Sequence, residues 1–260
     1  GDYVAFSTNK TNQMFHMKDK NRIEVFDSAS DVLLYDVKNH RVLTDSLLFS
    51  KGAFETFPSF SPDGKTLYFS SAKAQQMPKD YKKVKYSLCS ISFDAEQGRF
   101  GKQVDTLFSA EKEGKTAILP RVSPDGRFLA FTQADYGNFA IWHKEADLYL
   151  LDLKDGQVKA IPEVNSVEAE SYHAWSSNGR WLVFASRRDD GLYSRPYIAY
   201  IDENGKGHKP FVVPQHTPDF YQNSLTSYNV PEFIKEPVTI DKKVIVETAR
   251  EGQALKVAAP

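Results

Sequence analysis

The residues best suited to bind another molecule lie between positions 187 and 196. This stretch holds three arginines, two aspartates and one tyrosine within ten positions. Arginine and tyrosine are enriched among the residues that dominate interface energies, and guanidinium groups bind carboxylates through paired hydrogen bonds. The composition therefore predicts a surface for an acidic or carboxylate-bearing protein or peptide partner. The expected anchors are Arg187, Arg188, Tyr193 and Arg195, followed by Trp142 and His143.

The same stretch has a purely structural interpretation. Arg187 and Arg188 could pair with Asp189 and Asp190, so that the four charges would only order the loop. Exposed ion pairs of this kind contribute about 1 kcal/mol or less. On this interpretation the arginines would not contact a partner.

Recognisable catalytic motifs are missing from the sequence. It contains no Gly-x-Ser-x-Gly, no His-Glu-x-x-His, no Cys-x-x-Cys and no phosphate-binding glycine loop. The histidines are scattered without metal-ligand spacing, at His16, His40, His143, His173, His208 and His216. We therefore expect no enzymatic activity from this chain, with no catalytic residues, no metal ligands and no cofactor.

Two glutamates form a weak candidate for a cation site. Glu55 and Glu170 each lie three residues before the same position of a repeated segment, where carboxylates could hold an ion such as Ca²⁺. Ala117 in the middle repeat breaks the set. Alternatively, the carboxylates brace the connections between repeats. His173 replaces the proline of the other two repeats, and we expect it to make a structural hydrogen bond.

These side chains must be positioned by a repeat that occurs three times without gaps. The segments Phe57–Phe69, Leu119–Phe131 and Tyr172–Phe184 start 62 and then 53 residues apart. Each has apolar flanks around the turns Ser-Pro-Asp-Gly, Ser-Pro-Asp-Gly and Ser-Ser-Asn-Gly. Proline, aspartate or asparagine, and glycine favour tight turns, and the aromatic and branched flanks favour strands. Each segment therefore predicts a β-hairpin.

A second hairpin follows each first one. Residues 147–153 and 158–161 surround the turn Lys154-Asp155-Gly156, and residues 31–37 and 42–43 surround Lys38-Asn39-His40. Two hairpins per repeat supply four antiparallel strands, which is the composition of a propeller blade. The sequence therefore predicts an all-β fold, a β-propeller.

The repeat resembles that of TolB-like β-propellers, which are relatives of the WD repeat. The resemblance covers residues 1–214 and is carried by Pro-x-aromatic-Ser-Pro-Asp-Gly-basic-x-Leu-x-Phe, followed by a Tyr-x-x-Asp-Leu strand. It implies a ring of six blades and a periplasmic or cell-envelope location. It does not specify a function, because such folds serve many roles.

Aligning Phe6 with Phe69 places Gly1 at the turn glycine, so the first blade is expected to lack its innermost strand. We expect an incomplete blade at 1–45, full blades at 53–108, 115–163 and 168–214, and a C-terminal extension at 215–260. The chain would then be an incomplete part of a six-bladed ring. The alternative is a small ring closed by a tail strand such as Val238–Val246.

The tail itself is less regular. Thr217 and Pro218 predict the start of a short helix that ends near Ser227. Residues 238–257 fit either a strand or a helix.

Long loops are expected at one end of the blades, opposite the short turns. They span Asn9–Ser30, Ala72–Lys85, Gln133–Ala146 and Arg187–Pro196. Insertions on one face often mark the binding face of a repeat protein. Basic and aromatic residues are frequent in the first three, at His16, Lys18, Lys20, Arg22, Lys79, Tyr81, Lys82, Lys83, Lys85, Tyr136 and Lys144.

The composition argues against some classes of function and leaves others open. The chain has 33 basic and 34 acidic residues, which argues against a dedicated nucleic-acid partner. No apolar run approaches the ~20 residues of a membrane span. The single Cys89 cannot form an intrachain disulfide, and the sequence leaves the oligomeric state open.

Three hypotheses follow. The first is a non-catalytic scaffold that binds a protein or peptide partner through its loop-rich face. The second is the propeller domain of a prolyl-oligopeptidase-like hydrolase whose catalytic domain lies outside this chain. The third is a metal-dependent, lactonase-like propeller enzyme, which would need several carboxylates or amides facing the channel.

Overall fold

A computed structural model describes residues 1–15 and 23–252. Four antiparallel sheets, named blades 1 to 4 here, contain the strands of this part of the chain, and within each sheet neighbouring strands are consecutive in sequence. Blade 1 has β1 (Tyr3–Phe15), β2 (Ile23–Asp36) and β3 (Arg41–Leu43). Blade 2 has β4 (Ala53–Phe60), β5 (Thr66–Lys73), β6 (Ser87–Asp94) and β7 (Arg99–Phe108). Blade 3 has β8 (Thr116–Val122), β9 (Phe128–Ala134), β10 (Asp147–Asp152) and β11 (Val158–Ala160). Blade 4 has β12 (Glu170–Trp175), β13 (Trp181–Ser186), β14 (Arg195–Tyr200) and β15 (Phe211–Val212).

Helices are short in the described ranges. They are α1 (Ala110–Glu113), α2 (Lys242–Glu251) and two 3₁₀ turns, Tyr81–Lys83 and Ala140–Trp142. Within residues 1–15 and 23–252, no helix combines the length and the apolar character that a bilayer crossing requires.

Successive blades pack face to face through apolar side chains. Fully burying one such side chain contributes about 1.5–3 kcal/mol. Three clusters join the blades: Val32 and Leu34 with Leu67 and Phe69, Leu88 and Phe108 with Leu129 and Phe131, and Leu148 and Leu150 with Leu182 and Phe184. This stacking of antiparallel sheets confirms the predicted β-propeller fold.

The repeated turns have the same hydrogen bonds in all three copies. The glycine nitrogen of each turn donates to the serine carbonyl, at 2.8–2.9 Å for Gly64, Gly126 and Gly179. Each serine hydroxyl donates to the Asp or Asn two residues later and accepts from the backbone five residues later. The three tight turns predicted from the sequence are therefore confirmed.

The innermost strands β4, β8 and β12 each contain a β-bulge that was not predicted from the sequence. The register shifts between Thr56 and Ser59 in β4, and at the equivalent places of β8 and β12. The bulged residues Phe57, Leu119 and Tyr172 have φ of 54°, 59° and 49°. Positive φ is rare for bulky side chains, so its recurrence marks a conformation that the blade imposes.

The sheet of blade 1 has three strands among the described residues, in the order β1, β2, β3. The tail differs from expectation. Residues 217–223 form hydrogen-bonded turns instead of a helix, with Asn223 N donating to Asp219 O at 3.2 Å. The polar residues that follow Tyr221 compete for backbone hydrogen bonds and disfavour a helix.

The suggested closing strand at Val238–Val246 is wrong. Most of that segment belongs to α2, whose start is capped by the Asp241 side chain accepting from Lys243 N at 2.9 Å. No residue of α2 is buried, so the helix does not complete a blade.

Candidate protein-binding face

The loops between the second and third strands of the blades lie at the end opposite the tight turns. We call this surface the loop face and define it by residues 9–15, 23–30, 74–86, 135–146 and 187–194. The first predicted loop is largely a hairpin, since β1 and β2 remain paired to Phe15 and Ile23. The basic positions His16, Lys18, Lys20 and Arg22 lie outside the described residues.

The arms of this hairpin cross to the loops of blades 2 and 3. Met14 and Phe26 pack with Tyr81 of blade 2 and Tyr136 of blade 3. The rings of Phe26 and Tyr81 are 6.2 Å apart, and those of Tyr81 and Tyr136 are 5.7 Å apart. The first three loops therefore form one continuous surface.

Two buried carboxylates fasten the hairpin to blade 3. Asp27 accepts hydrogen bonds from Asn9 at 2.6 Å, Thr11 at 2.6 Å and Asn138 at 2.5 Å. Glu24 accepts from the Tyr136 hydroxyl at 2.7 Å, and His143 Nε2 lies 3.7 Å from its other oxygen.

The environment keeps Glu24 ionised. Burial pushes its pKa upward, but the nearby His143 ring, the hydrogen bond from Tyr136 and the charge of Lys82 together outweigh burial and hold the pKa below its usual value. A charged Glu24 is therefore compatible with its buried position.

Arg187 joins the loops of blades 3 and 4. Its guanidinium lies 5.1 Å from the ring centre of Trp142, and it donates to the carbonyl oxygens of Ile141 at 3.3 Å and Leu192 at 2.7 Å. Burial lowers its pKa, but an arginine remains charged at neutral pH. The structure thus brings together Arg187 and Trp142, two of the residues expected to act as anchors.

Arg188 and Arg195 are engaged inside blade 4. Arg188 binds Glu170 at 3.1 Å, Ser186 at 2.8 Å and the Val164 carbonyl at 2.6 Å. Arg195 is only 5% exposed and pairs with both Asp189, at 3.1 Å, and Asp190, at 3.0 Å.

The aspartates of this loop therefore neutralise Arg195 and not Arg187 or Arg188. Arg195 also donates to the carbonyl of Tyr221, which ties the C-terminal extension to blade 4. His143 is 2% exposed, whereas Trp142, Arg187 and Tyr193 keep partly exposed side chains. Contact of any of these residues with a partner stays a prediction.

Glu170 and Glu55, the two equivalent glutamates, have different surroundings. Glu170 accepts from the Ser166 nitrogen at 3.0 Å and from the Ser186 hydroxyl at 2.8 Å, besides its pair with Arg188. These bonds agree with the alternative in which the carboxylate braces the connection between repeats. Glu55 Oε2 is buried without a hydrogen-bond partner in the described structure. Burial, followed by the charge of Asp31, raises the pKa of Glu55 to about 7.

The described residues contain no group of three or more histidine, cysteine, aspartate or glutamate side chains arranged to hold a metal ion. His173 is buried beside the backbone of Ala130 and Leu119, although neither ring nitrogen has a well-aligned partner among the described residues. The structural hydrogen bond expected for His173 therefore stays a prediction. Burial lowers the pKa of His173 to about 4, although hydrogen bonding to that backbone acts to raise it, so the ring is neutral at physiological pH.

Sequence reasoning missed Glu24, Asp27 and Asn138, and it named Tyr136 only as an aromatic residue of the third loop. These four residues hold the loop face together. Their contacts join residues more than 100 positions apart, and the residues carry no local motif. The one available signal was the strand-forming run Ile23, Val25 and Phe26, which indicates that β2 begins before Asp31.

Comparisons with known proteins extend the resemblance noted in the repeat. No protein-family model matches the chain. Dipeptidyl-peptidase 5 of Porphyromonas gingivalis is 22% identical over 206 residues, which cover 70% of this chain and 29% of that protein.

Among solved structures, TolB from Acinetobacter baumannii has a TM-score of 0.47 and 19% identity, over 73% of this chain and 40% of its own. A puromycin-hydrolyzing peptidase of Mycobacterium tuberculosis has a TM-score of 0.48 and 13% identity, over 83% of this chain and 38% of its own. The chain therefore spans well under half the length of each of these three proteins. The fold assignment rests on the sheets described above.

Proposed function

We propose that this chain is a non-catalytic β-propeller scaffold that binds a protein or peptide partner through the loop face. The observation that supports the proposal is the difference between the two ends of the blades. One end carries four-residue turns, whereas the other carries long loops joined by Asp27–Asn138, Glu24–Tyr136 and Arg187–Trp142. Rigid scaffolds commonly present binding residues on such loops.

Side chains suited to a partner remain exposed on this face. Phe15 is 56% exposed and Leu192 is 67% exposed. Leu192 belongs to the same loop as Tyr193, and Arg187 bonds to its carbonyl oxygen. Aromatic side chains beside an arginine are typical of interface anchors, and Leu192 adds exposed apolar surface next to them. A partner with apolar side chains flanked by carboxylates would complement this surface.

We place the protein in the periplasm or at the cell envelope, in line with the TolB-like repeat. Fractionation of the native cells with an antibody against this chain tests the location. Recovery of the chain in the cytoplasmic fraction would contradict it.

The partner is tested by crosslinking the protein in extracts of its native cells and comparing captured proteins between variants. We expect the double variant Trp142→Ala, Tyr193→Ala to lose about 10-fold or more in affinity for the captured protein. Trp181→Ala is the matched control, because Trp181 is partly exposed on a strand of blade 4 away from the loop face. Unchanged affinity in a folded double variant, or equal loss in the control, would contradict the proposal.

A second candidate function comes from the likeness to dipeptidyl-peptidase 5. Under this alternative the chain is the propeller part of a hydrolase that has a separate catalytic domain. A fluorophosphonate probe, which labels active serine hydrolases, distinguishes the two functions. The scaffold predicts that the native polypeptide recognised by an antibody against this chain stays unlabelled, and the hydrolase predicts that it is labelled.

A further inference from the structure

Blade 4 carries apolar side chains on the face that points away from blade 3. Leu182 packs against blade 3, and Val183 points to the other face because side chains alternate along a strand. Val183 occupies the repeat position of Ala130 in blade 3. Ile198 lies directly opposite Val183, as Leu150 lies directly opposite Ala130.

The equivalent positions of blade 3 form an interface. Ala130 and Leu150 are fully buried, and they belong to the cluster that joins blade 3 to blade 4. An apolar face of a sheet is stable when another element covers it. Val183 and Ile198 are therefore placed to pack against a further apolar element.

These two residues line an apolar cleft of about 490 Å³ between blade 4 and the C-terminal extension. The extension contributes Tyr228, Val230 and Phe233 to the same cleft. Val230 is 62% exposed and Phe233 is 39% exposed, so the extension itself leaves apolar surface in contact with solvent. Exposed apolar patches of this kind mark interaction sites.

The helix α2 presents a second apolar surface. None of its residues is buried, and Val244 and Ile245 are 53% and 54% exposed. At 3.6 residues per turn, Val244 and Ile245 share one face of the helix with Thr248, whereas Arg250 lies on the opposite face. A helix with one apolar face is suited to an apolar groove, where the side chains of that face act as anchors.

We propose that the chain forms a symmetric dimer in which α2 of each copy occupies the apolar cleft of the other. Both surfaces are accessible in the single chain, and a two-fold arrangement forms the same helix–cleft contact twice in one interface. The residues of the cleft lie outside the loop face, so the dimer does not rest on the function proposed for that face.

The charges beside the two surfaces are complementary. Glu232 lines the cleft, and Lys242 lies three residues before Ile245, at the border of the apolar face of α2. Opposite charges at the edge of an interface fix the orientation of the partners. We therefore pair Lys242 of each copy with Glu232 of the other.

Sedimentation velocity of the intact chain between ~1 and ~100 μM tests the dimer. We expect Ile245→Ser to weaken association about 10-fold or more, because it removes an apolar contact that occurs twice in each dimer. The variant should keep its fold, since Ile245 is not buried in the single chain. Arg250→Ser is the matched control on the opposite face of the same helix and should associate like the wild type.

Charge exchange provides a second measurement. Glu232→Lys and Lys242→Glu should each weaken the dimer a few-fold, and the two changes combined in one chain should restore it, because both pairs are then reversed. The proposal is overturned if the intact chain stays monomeric over the whole concentration range. It is equally overturned if folded Ile245→Ser associates like the wild type, if Arg250→Ser loses as much affinity, or if the combined charge variant is weaker than both single variants.

Discussion

At the scale of single residues, Glu55 and Glu170 show how the same side chain at the same blade position acquires different properties. Glu170 is surrounded by Arg188 and two serines, whereas Glu55 has a buried oxygen without a partner in the described structure. Burial leaves Glu55 with a pKa of about 7, well above the value of 4.5 expected for an unfolded chain. The folded protein therefore binds more protons than the unfolded chain between these pH values, and its stability falls as the pH rises through them.

Replacing Glu55 by glutamine should remove this pH dependence. We expect Glu55→Gln to be about 1–3 kcal/mol more stable than the wild type at pH 8, because glutamine carries no charge to desolvate, and nearly equal at pH 4.5. Urea unfolding at both pH values measures the difference. Glu170→Gln is the control, and it should be less stable than the wild type by about 1–3 kcal/mol near neutral pH because it leaves Arg188 without its carboxylate. A Glu55→Gln variant that is destabilised at pH 8 would contradict the assigned environment.

At the scale of elements, the tight turns depend on a glycine in the left-handed conformation. Gly126 has φ of 75°, and no heavy atom lies within 4 Å of the place that a methyl group would occupy, so a side chain there would be strained by the backbone alone. Gly126→Ala should therefore cost about 1–2 kcal/mol. Gly52→Ala is the control, because Gly52 has the same open surroundings without the positive φ. Equal thermal stabilities of the two variants would contradict this explanation.

The strands and turns of the repeat could be predicted because their signals are local. Ser123, Asp125 and Gly126 make their hydrogen bonds within five residues, so the turn can be recognised from a short window of sequence. Arg195 illustrates the limit of this approach. Its nearest aspartates are local, but its bond to Tyr221 depends on how the extension folds back, and no spacing in the sequence encodes that return.

In the loop face, too, the local features could be predicted and the long-range contacts could not. The position of its loops was predictable from blade topology, whereas the hairpin that joins blades 1 and 3 was not. Trp142 and Arg187 were chosen for their chemical type, and only the three-dimensional structure shows that they stack.

At the scale of the whole molecule, the β1–β2 hairpin couples blades that are not neighbours. Repeat arrays are stabilised mainly by contacts between adjacent units. Here Tyr136–Glu24 and Asn138–Asp27 connect blade 3 directly to blade 1. This additional link should make the blades unfold together.

Removing both links should separate the unfolding of blade 1 from the rest. We expect Tyr136→Phe combined with Asn138→Ala to cost about 2–3 kcal/mol and to lower the hydrogen-exchange protection of residues 9–15 and 23–30 first. Lys144→Ala, which breaks an exposed pair with Glu168, is the control and should change stability by less than about 0.5 kcal/mol. Uniform loss of protection over all four blades would show that the hairpin is not a separate link.

The bulges of the innermost strands limit which residue types the repeat accepts at the bulged position as its copies diverge. The bulged position holds phenylalanine, leucine and tyrosine in the three copies, and all three have a φ between 49° and 59°. The copies share at this position a backbone conformation together with a bulky side chain that packs into one apolar cluster. Valine, isoleucine and threonine tolerate that conformation worst, so a mutational scan should find positions 57, 119 and 172 open to other large unbranched or aromatic residues but closed to the β-branched ones.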